Sequence, residues 1–149
     1  SITTGTGITA ANVIGILTGM AELMPEDIMD ADDLNLFVGM DTFLKYQKAI
    51  ADGNYFHYVV DGEFTAELPL IGFPNVTVCA TPGLSGLTNG NCYLMRASNI
   101  YIGVDLPDEE SNDVRSWYDD NDRIYKVTMA FRRGVNVAFP DQIVEFLLV

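Results

Sequence analysis

Histidine and tryptophan each occur once in this 149-residue chain and cysteine twice, and these shortages remove several kinds of chemistry. A lone histidine, His57, rules out a two-histidine metal site and leaves one side chain that titrates near neutral pH. It stands in Tyr55-Phe56-His57-Tyr58, where a side chain satisfied on a strand is expected rather than a catalytic base. Two thiols alone do not make a zinc site. Cys79 and Cys92 both fall in predicted strands and read as small buried hydrophobes rather than as a disulfide. No serine sits in a nucleophile-elbow pattern, because Gly83-Leu84-Ser85-Gly86 has the wrong spacing for G-x-S-x-G. No metal or organic cofactor is expected, and no catalytic residue is assigned.

Positive charge is also scarce. Eight basic residues face 21 acidic ones, for a formal net charge of −13, and no Lys or Arg occurs before Lys45. That balance opposes binding to phosphate backbones or anionic lipid, which depends on Lys and Arg. Direct sequence-specific nucleic-acid binding and a membrane partner are therefore not expected; nor, in the absence of an assignable catalytic group, is a small-molecule substrate. No apolar run approaches the ~20 residues that span a bilayer, and no basic segment precedes an apolar one as in a signal peptide. The chain starts at Ser1 without an initiator Met, as a fragment or a processed product would.

What is present is apolar. Hydrophobic residues make up 48 %, the upper end for a soluble globular protein, and the length suits one domain with a real core. Ser1 to Gly7 is Thr/Gly-rich and expected to be disordered. Thr9 then reads as an N-cap, with Ile8 and Val13 placed for a hydrophobic staple, and Val13, Ile16, Leu17, Met20 and Met24 follow helical spacing. A helix over about 9–24 is predicted, stopped by Pro25, with Gly15 and Gly19 as small residues facing a sheet. Glu26 to Asp33 reads as an acidic linker, Leu34 to Val38 as a short buried strand. Asp41 reads as the cap of a second helix, Thr42 to Ala51 within about 41–52, ended by Gly53.

From Tyr55 onward the pattern turns to strands: Tyr55 to Val60, Phe64 to Leu68, Val76 to Ala80, Cys92 to Arg96, Ile100 to Val104 and Ser116 to Tyr118, with Gly, Pro and Asn between them. In the last stretch Tyr125, Val127, Met129, Phe131, Val135, Val137 and Phe139 keep one parity, and Lys126, Thr128, Arg132 and Asn136 the other. This predicts a long half-buried strand whose odd-numbered face is core. Gly134 marks a hairpin or a bulge. Pro140-Asp141 turns the chain, and Ile143 to Val149 reads as a strand buried on both faces. The fold class predicted is α+β, two amphipathic helices packed on a mainly antiparallel sheet.

Three motifs point weakly to chemistry. Gly5-Thr6-Gly7-Ile8-Thr9-Ala10 matches G-x-G-x-x-A, but only four residues precede it, too few for the parallel strand of a dinucleotide fold. Acidic clusters at Asp27, Asp30, Asp32 and Asp33, at Asp108 to Glu110, and at Asp119, Asp120 and Asp122 fit no calcium-loop pattern and read as solvated loop charge. Asn75-Val76-Thr77 is a glycosylation sequon without a secretory context.

The order of segments resembles the C-terminal half of the major capsid proteins of tailed bacteriophages, the shell-forming fold also used by encapsulins. ITAANVIGILTGMAELMP is similar to the family's amphipathic helix ending near a proline. LNLFVGMDTFLKYQKAIADGNYF resembles its strand, turn and helix, and LPLIGFPNVTVCATPGL its glycine-x-proline turn into a buried strand. NCYLMRASNIYIGVD resembles a strand, turn and strand of the axial domain, and DRIYKVTMAFRRGVNVAFPDQIVEFLLV its returning strand with a basic-Gly break and a Pro-acid turn. The resemblance runs from about Ile8 to Val149. It implies one domain, the axial domain plus part of the peripheral domain, of a non-enzymatic shell subunit that assembles with copies of itself into pentamers and hexamers of a virion capsid in the bacterial cytoplasm. The family's N-terminal arm, extended loop and spine helix have no counterpart here. The strand pattern by itself also permits a tail or other virion-associated module, or a ligand-binding or enzymatic domain, for which Asp41, His57 and Asp61 are the group to test.

Overall fold

The computed structural model describes residues 2–5, 7–53, 66–85, 90–104, 114–129 and 133–148. It is an α+β fold with two helices and mainly antiparallel strand pairing. The chain divides into two compact units, residues 1–99 with 139–149, and residues 100–138.

The first unit holds both helices and a six-stranded sheet. Its strands are β1 (Ile2–Gly5), β2 (Leu34–Val38), β3 (Glu67–Leu70), β4 (Phe73–Ala80), β5 (Cys92–Arg96) and, from the end of the chain, β10 (Val144–Leu148). Their spatial order is β1-β10-β5-β2-β4-β3. Three ladders are antiparallel, β10 with β5, β5 with β2 and β4 with β3; β1 with β10 and β2 with β4 are parallel.

Burial follows from the sequence pattern. In β2, Leu34, Leu36 and Val38 are buried and the residues between them half-buried, as the alternation of Cβ directions requires. Helix α1 (Val13–Glu22) buries Val13, Leu17, Met20 and Ala21 and packs on α2, β4 and β10. It starts later than the sequence suggested. Asn12 is the residue before the first turn, and its side-chain oxygen accepts from the Thr9 N–H at 2.7 Å and the Thr9 hydroxyl at 3.0 Å, so Thr9 is held by Asn12 rather than capping the helix. Gly15 is exposed, and added Cβ atoms at Gly15 and Gly19 would meet nothing within 4 Å, which corrects the expectation that these small residues face a sheet.

Helix α2 (Met40–Asp52) matches the expected span of about 41–52 to within a residue, but its cap differs. Gly39 is its N-cap, Asp41 lies in the first turn and makes no capping bond, and the Met40 N–H donates to Ser85 Oγ at 2.8 Å from a turn 45 residues away. A Cβ on Gly39 would stand 3.0 Å from the Leu84 carbonyl oxygen, so the close approach of that turn favours glycine there. Tyr46, fully buried, ties the helix to the sheet edge: its hydroxyl donates to the Pro69 carbonyl at 2.9 Å and accepts from the Ile71 N–H at 3.1 Å. That edge strand carries Pro69 and a register shift at Leu70, features that discourage a further strand from adding. Gly72, at a φ of 86°, turns β3 into β4.

Two expectations about the chain's beginning and end change here. Ile2–Gly5, expected to be disordered, is a strand parallel to β10, so the reason given against the G-x-G-x-x-A match, a missing parallel strand, does not hold. At the other end β10 lies between β1 and β5 with Val144 and Phe146 buried, close to the expected closing strand.

The described residues of the second unit form two ribbons. β6 (Ile100–Val104) pairs with β9 (Arg133–Val137), and β7 (Val114–Asp119) pairs with β8 (Ile124–Met129), both antiparallel. The turn between β7 and β8 includes Arg123 at a φ of 54°, a left-handed conformation rare for a residue with a side chain. Gly134 is neither hairpin nor bulge but an in-register strand residue opposite Gly103. The long buried strand is corrected most: β8 and β9 pair with different partners, and Tyr125, Val127, Val135 and Phe139 on the expected core face are all exposed. An apolar face of period two shows where a cover fits, not that this chain supplies it. Phe131 lies outside the described residues, as does the predicted strand Tyr55 to Val60.

Candidate functional site

Of the group Asp41, His57 and Asp61, only Asp41 lies among the described residues. It is exposed at the start of α2, 3.8 Å from Lys45 one turn on, a helix-surface pair rather than a site.

The acidic clusters separate into groups with different partners. Asp33, just ahead of β2, accepts from Arg96 Nε at 2.9 Å, from the Ser98 hydroxyl at 2.5 Å and from the Ser98 N–H at 3.2 Å. The Ser98 and Arg96 hydrogen bonds hold its carboxyl at about 2, below its ordinary value of 3.8. Its backbone carbonyl also accepts from the Ala97 N–H at 2.9 Å. Asp33 therefore anchors the turn after β5 against the start of β2. In the β7–β8 ribbon Lys126 donates to Asp119 and, at 2.9 Å, to Asp122. That contact lowers the Asp119 carboxyl and raises the Lys126 ammonium from their ordinary values. Asp108 to Glu110 lie outside the described residues. Among the described residues no three His, Cys, Asp or Glu side chains gather as a metal site would need.

Cys79 and Cys92 are both free, in β4 and β5. Burial pushes the Cys79 thiol up to about 11 and the Cys92 thiol up to about 12, far from the thiolate a nucleophile needs. Asn75 of the sequon is half-buried and donates through its amide to the Met29 carbonyl at 2.7 Å.

The feature that does stand out is apolar. The ribbons of the second unit expose Tyr101, Ile102, Trp117, Tyr118, Ile124, Tyr125, Val127 and Val135. Tyr125 is 79 % exposed and Val135 70 %, although β-branched and aromatic residues are suited to covered pleated surfaces. In β7–β8, Tyr118 stands opposite Tyr125, their rings 5.0 Å apart and tilted by 57°, and Ser116 stands opposite Val127. In β6–β9, Ile102 stands opposite Val135. A shallow depression of about 240 Å³ beside Tyr101 is lined by Asn136, Val137 and Ala138. The odd-residue parity of the closing segment singled out Tyr125, Val127 and Val135 as one apolar face but assigned it to the core; it said nothing of Tyr101, Ile102, Trp117, Tyr118 or Ile124.

No protein-family model matches the chain, and no curated protein matches it in sequence. Among the described residues no helix is long and apolar enough to cross a membrane.

Proposed function

We propose that this chain is the axial-domain portion of a shell-forming major capsid subunit of the tailed-bacteriophage type, from a phage or prophage. In this reading it assembles with other copies of itself into pentamers and hexamers of a virion capsid built in the bacterial cytoplasm, and it has no enzymatic role. The observation that carries the reading is the contrast between the two units. The first buries a core of its own from α1, α2 and the six-stranded sheet. The second presents apolar side chains outward on two-stranded ribbons, and such ribbons are marginal in water unless something covers them. A subunit that must be soluble before assembly and covered after it fits that division.

The order of elements supports the same reading. A helix, a buried strand, a second helix and then a run of strands closed by β10 follow the succession of segments that resembles the capsid family. The use of Asp33, Asp119 and Asp122 to hold Arg96, Ser98 and Lys126 suits a structural role. Ring assembly would proceed through heterologous contacts, which close only when the rotation between neighbours is right. Gradient sedimentation of the full-length gene product tests the proposal. Particles the size of a shell are expected, whereas a species of one or a few subunits under all assembly conditions would count against it.

A further inference from the structure

We propose that the β6–β9 ribbon is jointed at the facing glycines Gly103 and Gly134, so that the β7–β8 ribbon beyond them pivots relative to the ribbon's root. The two glycines stand opposite each other in the antiparallel register, between the pairs Ile102–Val135 and Val104–Arg133. A glycine inside a strand weakens it, because it loses the most backbone freedom on folding and brings no side chain to a cross-strand pair. With one on each strand, this step of the ladder has no side-chain support at all. No third strand flanks it among the described residues, since β6 and β9 pair only with each other.

Nothing within the chain calls for glycine at either position. Among the described residues the glycines with positive φ are Gly72 and Gly90, so neither Gly103 nor Gly134 is there for a left-handed turn. A Cβ on Gly134 would meet nothing within 4 Å, and one on Gly103 only the Gly134 carbonyl oxygen at 3.8 Å, an ordinary contact. Both residues are exposed. Gly39 and Gly72, by contrast, answer to a close approach and to a turn. What remains to the facing pair is freedom of the backbone.

The parts on either side are better held. At the root, the pair Ile100–Val137 lies next to the hydrogen bonds that join Asn99 to Phe139. Beyond the glycines, β7 and β8 share six register pairs, the Tyr118 and Tyr125 rings are in contact, and Lys126 binds Asp119 and Asp122. Two supported elements joined through one unsupported step form a hinge, in which a few small residues absorb the change of backbone angle. The device leaves the angle of the exposed β7–β8 ribbon to be set by whatever it meets.

Residual dipolar couplings of the whole chain in a dilute aligned medium test this. Amides of Ile100, Ile102, Val135 and Val137 report the order of the root, and those of β7 and β8 the order of the outer ribbon. The outer ribbon is expected to show roughly half the order of the root or less. Gly103→Val combined with Gly134→Val, for which the fold has room, should bring the two close together. Tyr101→Val combined with Asn136→Val, two register steps towards the root, is the control and should leave the difference in place. Equal order of root and outer ribbon in the parent would overturn the joint. So would a difference that the glycine replacements leave unchanged, which would put the pivot elsewhere in the segment. None of these outcomes depends on whether shells form, so the hinge and the shell reading stand or fall separately.

Discussion

Asn99 and Phe139 hold each other by two hydrogen bonds, the Asn99 amide donating to the Phe139 carbonyl at 2.8 Å and the Phe139 N–H donating to Asn99 Oδ1 at 2.7 Å. Asn99 is one of two buried polar residues among those described. The pair joins the residues between which segment 100–138 leaves and re-enters the first unit. One side chain thus satisfies both backbone groups of a residue 40 positions away, a long-range pairing that would otherwise need a strand ladder.

Asn99→Ala is therefore expected to cost about 1 to 3 kcal/mol, because it strands the Phe139 backbone groups. Asn99→Asp keeps the acceptor but sets a buried carboxylate oxygen against the Phe139 carbonyl, and should cost at least as much as Asn99→Ala at neutral pH. Denaturant titration of the three proteins checks the order, and an Asn99→Ala variant as stable as the parent would show that the clamp contributes nothing.

Core and ribbon should respond differently to truncation. Phe146, buried in β10 between β1 and β5, is expected to cost about 3 to 5 kcal/mol on Phe146→Ala, through lost burial and the cavity left behind. Tyr125→Ala, at a residue 79 % exposed, should cost under about 1 kcal/mol in the isolated chain. Similar losses in urea titrations would contradict the assignment of core and surface.

Gly19 lies within α1, and a Cβ there meets nothing within 4 Å. Gly19→Ala should stabilise the chain by up to about 1 kcal/mol, since alanine has less backbone freedom to lose and no neighbour to strike. A lower melting temperature for this variant would reveal a contact of α1 that the fold does not show.

The sequence made some of these features legible and hid others. Leu34 to Val38, Cys92 to Arg96 and Ile100 to Val104 were readable to the residue, because short apolar runs were bounded by Asp33, Gly39, Gly90-Asn91 and Ala97-Ser98. The α1 stripe of Val13, Leu17 and Met20 was equally plain. The start of α1 was misplaced for a local reason, since Asn12 is a capping residue as suitable as Thr9, while the cap of α2 was misread for a long-range one, since the bond that serves its start comes from Ser85, far along the chain. The face of Tyr125, Val127 and Val135 failed for a tertiary reason, since period two specifies two faces and says nothing about the cover over either. Asn99 was invisible because its partner is a backbone, which leaves no trace in residue type.

Acid should weaken the anchor at Asp33. Its carboxyl has a folded-state value of about 2 against an ordinary 3.8, so the charged form is favoured by folding. That stability is present above about pH 4 and lost as pH falls through about 2. The side chain is a third exposed, so screening should limit the effect to about 1 kcal/mol. The stability gap between the parent and Asp33→Asn, which resembles the protonated carboxyl, should narrow from pH 5 to pH 2. A gap unchanged across that range would mean that Arg96 and Ser98 do not favour the charged form.

Salt should act on self-association. With a net charge of −13 per copy, the isolated chain is expected to be mostly monomeric at low salt and to associate weakly as screening shortens the repulsion. Sedimentation velocity across a salt series reads this directly. A stable dimer insensitive to salt would point to a self-contained binding module.

The most direct measurement is negative-stain electron microscopy of the full-length gene product expressed alone and with its neighbouring genes. Closed shells or rings of five and six subunits are the predicted result. Fields of discrete, unassembled particles under both conditions would contradict the assignment of this chain to a capsid subunit.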